Sequence, residues 1–481
     1  MALANLPHKL LDIIVEYSLP QSFENLATTC KRAYARCTPF IKRHNELRSR
    51  FRDFVYYAHA RDSLVAASDL IGLIAADPIV ARYIRTANLV EDSRFLSHLR
   101  VRGEPPKSVP SIEDGGVIVQ LFANSMYLRR AQLDWREYYS TFAEDVREMR
   151  YSQHGSVFLL TLLDDTKKLT IPSSWNPNAA TNQLLDVLVK ETTQSSVPSS
   201  GLRSVTSFLG SLSRSETENW GLSWASLFLA LPHLKSFSGP GSFAVGGTPQ
   251  SLAFRGSPHI ADTLVVAHLG GCCIDDVGIT DFLKHAPRLK ALRYSHSTQH
   301  DYLPPDWDIC KFINAVAREA GSHLIELSVK ILGLRGSILP GRASTRSFQK
   351  LKKFEFPLEL VMCNINAAGV TGNIATSLQR LFNGSMDPFV RDMMPNSVTH
   401  LSLKSEGIGP HESALDALFR HFRAVRRTQL PNLKEVHIAC KQEADNAYKQ
   451  QCNKIVTECD REGVVVHLQA YEYSGGLNWD G

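Results

Sequence analysis

The chain has 481 residues, 43% of them hydrophobic, with 53 Lys and Arg against 48 Asp and Glu, a net charge of +5. That apolar content excludes a disordered chain, and the length exceeds one ordinary compact domain. The small cationic excess gives no reason to expect nucleic acid, because a dedicated binder concentrates its basic residues on one face.

Nine cysteines (Cys30, Cys37, Cys272, Cys273, Cys310, Cys363, Cys440, Cys452 and Cys459) are scattered without a CxxC pair. They fit reduced thiols in the cytosol or nucleus better than a disulfide framework or a zinc centre. The apolar stretch 70–81 is broken by Asp77 and Pro78, and it falls far short of the roughly 20 residues that span a bilayer. Lys9, Asp12 and Glu16 interrupt the opening apolar run, so neither a membrane anchor nor a signal peptide is expected.

In chain order, the first elements are three short helices. Pro7 suits the first turn of a helix, where a missing N–H costs nothing. Leu10, Leu11, Ile14 and Val15 then recur at helical spacing, widened by Ile13 and Tyr17, up to Pro20. Ser22 is placed to cap a second helix presenting Phe23, Leu26 and Cys30. A third carries Ala33, Tyr34 and Cys37 and is expected to stop at Pro39. So small a core rarely holds together alone, and its apolar stripes cover more than one face. Some of that surface is expected to be covered by another protein.

The stretch "LPHKLLDIIVEYSLPQSFENLATTCKRAY" resembles an F-box: Leu-Pro, a helical apolar block, a short turn, then an L-x-x-x-C-K-R-x-Y block. The likeness covers about residues 3–45. His8 and Lys9 stand where the family often has an acidic residue, and Ser18 replaces a frequent bulky one. The resemblance implies docking on the adaptor Skp1 of a cullin-RING ubiquitin ligase through Leu6, Pro7, Leu10, Leu11, Ile14, Leu26, Cys30 and Tyr34. The alternative is an N-terminal cap on whatever follows.

Residues 49–160 read as a helical connector leading into degenerate repeats. "ARYIRTANLVED" at 81–92 is a candidate first strand, and 99–116 and 191–201 read as loops. After residue 160 a strand-like phrase recurs: "TKKLTIP" at 166, "LRSVTSF" at 202, "LKSFSGP" at 234, "ADTLVVAHL" at 261 and "LKALRYS" at 289. It continues as "LIELSVK" at 324, "LKKFEFP" at 351, "VTHLSLK" at 398 and "LKEVHIA" at 433. The copies share the frame L-x-x-L-x-L at intervals of 27 to 47 residues. Helical patterns fill the gaps at 220–230, at 306–320 with Gly321 as the stop, and at 413–427 with Leu415, Leu418, Phe419, Phe422 and Val425 on one face. "LPHL", "APRL" and "LPNL" bridge helix ends to strands.

Strand and return helix at this spacing predict a solenoid, because one strand and one helix cannot bury their apolar faces alone. The frame resembles an irregular leucine-rich repeat. Where that family has an Asn after the strand, Ser297, Leu332 and Glu406 stand here. Long excursions are expected at 238–260 and 357–397. The fold class is therefore α/β: an N-terminal three-helix F-box (1–48), the connector (49–160), and a repeat solenoid (161–475) with a curved parallel sheet and outer helices. An ordinary α/β sheet is the alternative, disfavoured by the repeated phrase and by the lack of a glycine-rich phosphate loop.

Side chains alternate across a strand, so the residues between the leucines face the concave sheet surface. These are Lys168 and Thr170, Ala291 and Arg293, Glu326 and Ser328, Lys353 and Glu355, His400 and Ser402, Glu435 and His437. The row is a candidate target-binding surface taken collectively, with Lys168, Arg293, Glu326, Lys353, Glu355, His400 and His437 its main members; a merely solvated strand face is the alternative.

In "HLGGCCIDD", His268, Cys272, Cys273, Asp275 and Asp276 come close in sequence, and a Cys–His pair can form a nucleophile. A buried structural pair between a strand and a helix is the simpler reading, with Asp275 at the first turn of that helix. Arg420, Arg423, Arg426 and Arg427 and the run 41–52 read as solvated helix faces. Tyr471, Tyr473 and Trp479 are expected to cover the end of the array after a last strand at 464–468.

The expectation is an adaptor with no catalytic residues, cofactor or metal. Its partners would be a Skp1-like protein, through it a cullin, and an unknown protein target, with neither nucleic acid nor membrane. A scaffold outside any ligase and a cysteine hydrolase at Cys272 or Cys273 are the rivals.

Overall fold

The computed structural model describes residues 6–58, 63–103, 109–172, 174–194, 201–210, 225–239, 241, 243–244, 260–298, 304–368, 393–405, 411–440 and 443–469. The chain divides into two units, Met1–Arg214 with Leu227–Leu234, and Ser215–Ser226 with Lys235–Gly481. The fold is α/β: helices at the N-terminus, then parallel strands alternating with helices.

In the first unit, α1 (His8–Ser18), α2 (Phe23–Thr29) and α3 (Lys31–Phe51) pack on one another. Val15, Leu19, Phe23 and Cys37 form their core, against which Leu26, Phe40, Ile41 and Ile79 lean. Ser22 occupies the N-cap of α2 without a side-chain cap bond, whereas the Cys30 sulfur accepts from the Ala33 N–H and caps α3. Pro39 does not stop α3, which runs through it to Phe51. The proline forfeits one backbone bond. Ala33 and Cys37 before it and His44 and Phe51 after it are all buried, and that continuous buried stripe outweighs the loss. The basic run 41–52 is thus the second half of α3.

Four strands follow, β1 (Asp53–Val55), β2 (Thr86–Asn88), β3 (Lys168–Thr170) and β4 (Ser207–Leu209), each parallel to the next. The stretch 81–92 does form a strand, but β1 precedes it. Between β2 and β3 lie helices at Leu96–Arg102, Val117–Ala123, Met126–Arg130, Trp135–Arg147 and Gln153–Leu160. Phe122 stacks on Phe158 with centroids 3.6 Å apart. Buried Asp92 accepts from Ser156 Oγ at 2.7 Å, Ser93 Oγ at 2.9 Å and the Ala67 N–H at 3.1 Å. It ties the helix Ala67–Ala76 to the helix Gln153–Leu160.

In the second unit, β5 (Ser236–Ser238), β7 (Val266–Ile274), β8 (Ala291–Ser297), β9 (Glu326–Gly333), β10 (Lys353–Pro357), β11 (His400–Lys404), β12 (Glu435–Ala439) and β13 (Val465–Gln469) pair in that order, all parallel. A short strand, β6 (Phe243–Ala244), pairs with β7. Helices at Asp276–Lys284, Ile309–Ala320, Leu358–Ala368, His411–Phe419 and Asn446–Arg461 pack each on the next in one layer.

Every recurrence of the sequence phrase is a strand, and the frame has a physical reason. Leu289, Leu292 and Tyr294 on one coil, and Leu324, Leu327 and Val329 on the next, are at most 1% exposed, as are Leu351, Phe354 and Phe356 on the third. The frame's first residue enters through a turn: the N–H groups of Leu234, Leu289 and Leu433 bond to the carbonyls of Leu231, Ala286 and Leu430, at the "LPHL", "APRL" and "LPNL" preludes. One backbone device repeats although the period drifts. The Lys290 carbonyl accepts both the Ile325 and Glu326 N–H groups, the Ile325 carbonyl those of Lys352 and Lys353, and the Lys352 carbonyl those of Thr399 and His400. The Arg52 and Arg85 carbonyls of the first unit do the same for the next strand. These stacked strand–helix coils are the arrangement expected of a repeat solenoid.

Two local readings are corrected. The stretch 413–427 is two helices, His411–Phe419 and Phe422–Thr428, broken at Arg420–His421 with no glycine or proline to announce it; the five predicted apolar residues are nonetheless all buried. "HLGGCC" lies within β7 and not after it. The strand absorbs Gly270 and Gly271 as an irregularity in register, with Gly271 at a φ of +62° that a side chain rarely adopts. The excursion at 357–397 opens with the helix Leu358–Ala368. Tyr471, Tyr473 and Trp479, like Glu406, lie outside the described residues. Among the described residues no helix is long and apolar enough to cross a membrane.

Candidate functional site

Three surfaces carry the predicted residues, two in the first unit and one in the second.

On the N-terminal helices, Leu10 and Ile13 are each 47% exposed, Tyr17 is 78% and Tyr34 is 53% exposed. Leu10, Ile13 and Tyr17 fall on one side of α1, as their spacing of three and four residues requires. Pro7 is exposed; Leu6, Ile14, Leu26 and Cys30 are half-buried. Leu11 is 1% exposed, so it belongs to the interior of the helices and not to their outer surface. Ile13 and Tyr17, which the motif did not single out, are exposed beside Leu10 on the same side. Tyr17 also edges a groove of about 490 Å³ with Leu19, Phe40, His44, Ile79 and Tyr83. At its wall, His44 Nδ1 lies 2.8 Å from the Tyr83 hydroxyl, and burial pushes the imidazole pKa down.

Lys168, on β3, borders a second opening of about 640 Å³ lined also by Arg48, Arg52, Arg85 and Lys167, with Glu24 and Asp53 on the same wall. Sequence alternation found Lys168 alone. The three other strand-entrance cations (Arg52, Arg85 and Lys167) immediately precede β1, β2 and β3, a recurrence visible only after the strands are aligned.

In the second unit the polar face forms a register row. Ser238, His268, Arg293, Ser328, Glu355, Ser402, His437 and His467 stand side by side on successive strands from β5 to β13. A parallel row two residues earlier holds Ala291, Glu326, Lys353, His400 and Glu435. Arg293 Nε donates to Glu326 at 2.6 Å. His400 Nε2 lies 3.7 Å from Glu435 Oε1, and His437 Nε2 lies 3.6 Å from Glu435 Oε2. His437 and His467 stack, centroids 4.5 Å apart and planes at 19°. Burial first, then the charge of His467, pushes the His437 pKa down against the opposing pull of Glu435.

The row is not uniformly solvated. Ser328, Glu355 and Ser402 are buried. Ser328 Oγ donates to Glu355 at 2.6 Å, and the ammonium groups of Lys404 and Lys330 lie 3.2 and 3.7 Å from its carboxylate. Glu355, predicted on the open face, is instead buried among its neighbours, with Lys330 and Lys404 half-buried around it.

The cysteine pair of β7 is buried. The Cys272 thiol donates to the Gly239 carbonyl at 3.3 Å, and burial with the Asp275 charge pushes Cys273 up to about 11. At neutral pH the Cys273 thiol is therefore held in its protonated form. Asp275 caps the next helix, accepting from the Gly278 N–H at 2.8 Å. Arg420 pairs with Asp416, and Arg423 and Arg427 both reach Glu462, so most of this basic helix face is engaged within the chain. Comparison with protein-family models and with curated proteins returns no match for the chain.

Proposed function

We propose that the protein is a substrate-recognition adaptor of an SCF-type ubiquitin ligase, in which the N-terminal helices dock on a Skp1-like protein and the polar sheet face of the second unit captures a protein target. The observation that carries this reading is the uncovered apolar side of α1, where Leu10, Ile13 and Tyr17 are exposed together on successive turns. Single exposed apolar residues are ordinary, but a helical stripe of them marks a surface suited to another protein. The mechanism needs no chemistry from the chain: it raises the effective concentration of a target near a ubiquitin-loaded enzyme. The ampholytic strand rows suit recognition of a folded or extended protein by charge complementarity.

The test is co-purification of the intact chain with a purified Skp1-like adaptor. The wild type retains the adaptor; a Leu10→Asp, Ile13→Asp double variant loses it while keeping its circular-dichroism spectrum and melting temperature. A wild-type chain that is folded and retains no adaptor would instead be a scaffold outside the ligase.

A further inference from the structure

Beyond any docking role, the end of the second unit's sheet gathers three groups with a single chemical aptitude. Glu435 and His437 alternate onto the same face of β12, two residues apart. His467 stands beside His437 in register on β13. One donor atom from each of the three lies within 4.8 Å of the other two. Around a tetrahedral ion with bonds of about 2.0–2.1 Å, ligand atoms sit about 3.3 Å apart. Small rotations of side chains that are half-buried or exposed close that difference, without moving the strands.

We propose that Glu435, His437 and His467 bind one divalent transition-metal ion, with a fourth position open to water or to an incoming ligand. Two imidazoles and one carboxylate suit zinc, or another ion of similar softness, and do not suit calcium or magnesium, which take oxygen ligands. Two outer groups fit the same role. His400 Nε2, 3.7 Å from Glu435 Oε1, steadies the carboxylate oxygen on the side away from His437. The Gln469 amide nitrogen lies 3.3 Å from His437 Nδ1; turning that amide over brings its oxygen there to take the Nδ1–H, which leaves Nε2 to face the metal. Lys404, the nearby cation on β11, is held toward Glu355 at 3.2 Å. The bound ion would cross-link β13 to β12 and leave its open position on the polar face of the sheet.

The experiment is calorimetric titration of the intact, metal-stripped chain with zinc, paired with the absorption spectrum of the cobalt-loaded chain. The expected result is one equivalent of zinc per chain and visible cobalt bands without sulfur-to-cobalt charge transfer. His467→Ala, at an exposed position that does not endanger folding, and Glu435→Gln should each weaken zinc by more than the roughly 10–100-fold that follows loss of an outer-shell partner. No binding by the folded wild type overturns the site. So does binding that survives both substitutions, or a cobalt spectrum dominated by thiolate charge transfer, which would assign the metal to cysteines.

Discussion

Ser328 on β9 donates a 2.6 Å hydrogen bond to Glu355 on β10, and that carboxylate is only 2% exposed. Lys404 from β11 and Lys330 from β9 complete its surroundings. One acidic group thus joins three strands and holds two ammonium groups close together. Truncating one member of a buried ionic cluster leaves its partners uncompensated, at about 3–5 kcal/mol. Glu355→Ala should lower the unfolding free energy by that amount in a urea titration. A loss below about 1 kcal/mol would mean that the cluster behaves like a screened surface pair.

Adjacent residues on α1 should respond in opposite ways. Leu11 is 1% exposed and Leu10 is 47% exposed. Leu11→Ala removes buried methyl groups and leaves a cavity, which costs about 2–4 kcal/mol. Leu10→Ala should change stability by no more than about 0.5 kcal/mol. Thermal and urea unfolding of the two variants check this. Equal losses would show that both leucines are interior, and the docking surface proposed for α1 would disappear with that result.

The strands were legible in the sequence because L-x-x-L-x-L is a statement about burial: Leu292, Leu327, Phe354 and Leu401 pair across the sheet in register, and each must be apolar. The alternation rule also placed Arg293, Glu326, His400 and His437 on the opposite face. Carried two places further it finds Lys330 and Lys404, and applied to the last strand it finds His467. What it cannot give is cover. Glu355 reads as solvated because its burial comes from lysines on neighbouring strands, a relationship that needs the register. The continuation of α3 through Pro39 was hidden for a similar reason: a local penalty was weighed without the tertiary burial of His44 and Phe51 that offsets it.

Gly321 illustrates a stop signal whose cause differs from the expected one. It caps the helix Ile309–Ala320 with an ordinary φ of −59°, so left-handed backbone is not the reason for glycine. A Cβ there would lie 2.3 Å from the Ala317 carbonyl oxygen and 2.8 Å from that of Ser347. Both are backbone atoms, which cannot swing aside. Gly321→Ala should therefore destabilise by about 1–3 kcal/mol, read as a lowered urea midpoint. An unchanged or raised midpoint would show that the helix end and the backbone at Ser347 readjust without cost.

The last expectation concerns pH. His296 is 1% exposed, stacks on Trp307 with centroids 3.9 Å apart, and has the Tyr294 hydroxyl 2.7 Å from Nδ1. Burial pushes its pKa from 6.5 down to about 3. Above pH 6.5 the ring is neutral folded or unfolded and contributes no pH dependence. As pH falls below 6.5 the unfolded chain takes up a proton that the folded chain refuses until about pH 3, so unfolding becomes easier across that window. By pH 5 the loss amounts to about 2 kcal/mol. Asp92 and Asp164, both raised to about 6 by burial, act in the opposite sense between pH 6 and 4, because the folded chain then binds their protons first. The difference between wild type and His296→Phe cancels their contribution. Unfolding free energies measured from pH 7 to pH 5 should fall by about 2 kcal/mol more in the wild type than in the variant; parallel curves would mean that the folded chain accommodates a protonated ring at this position.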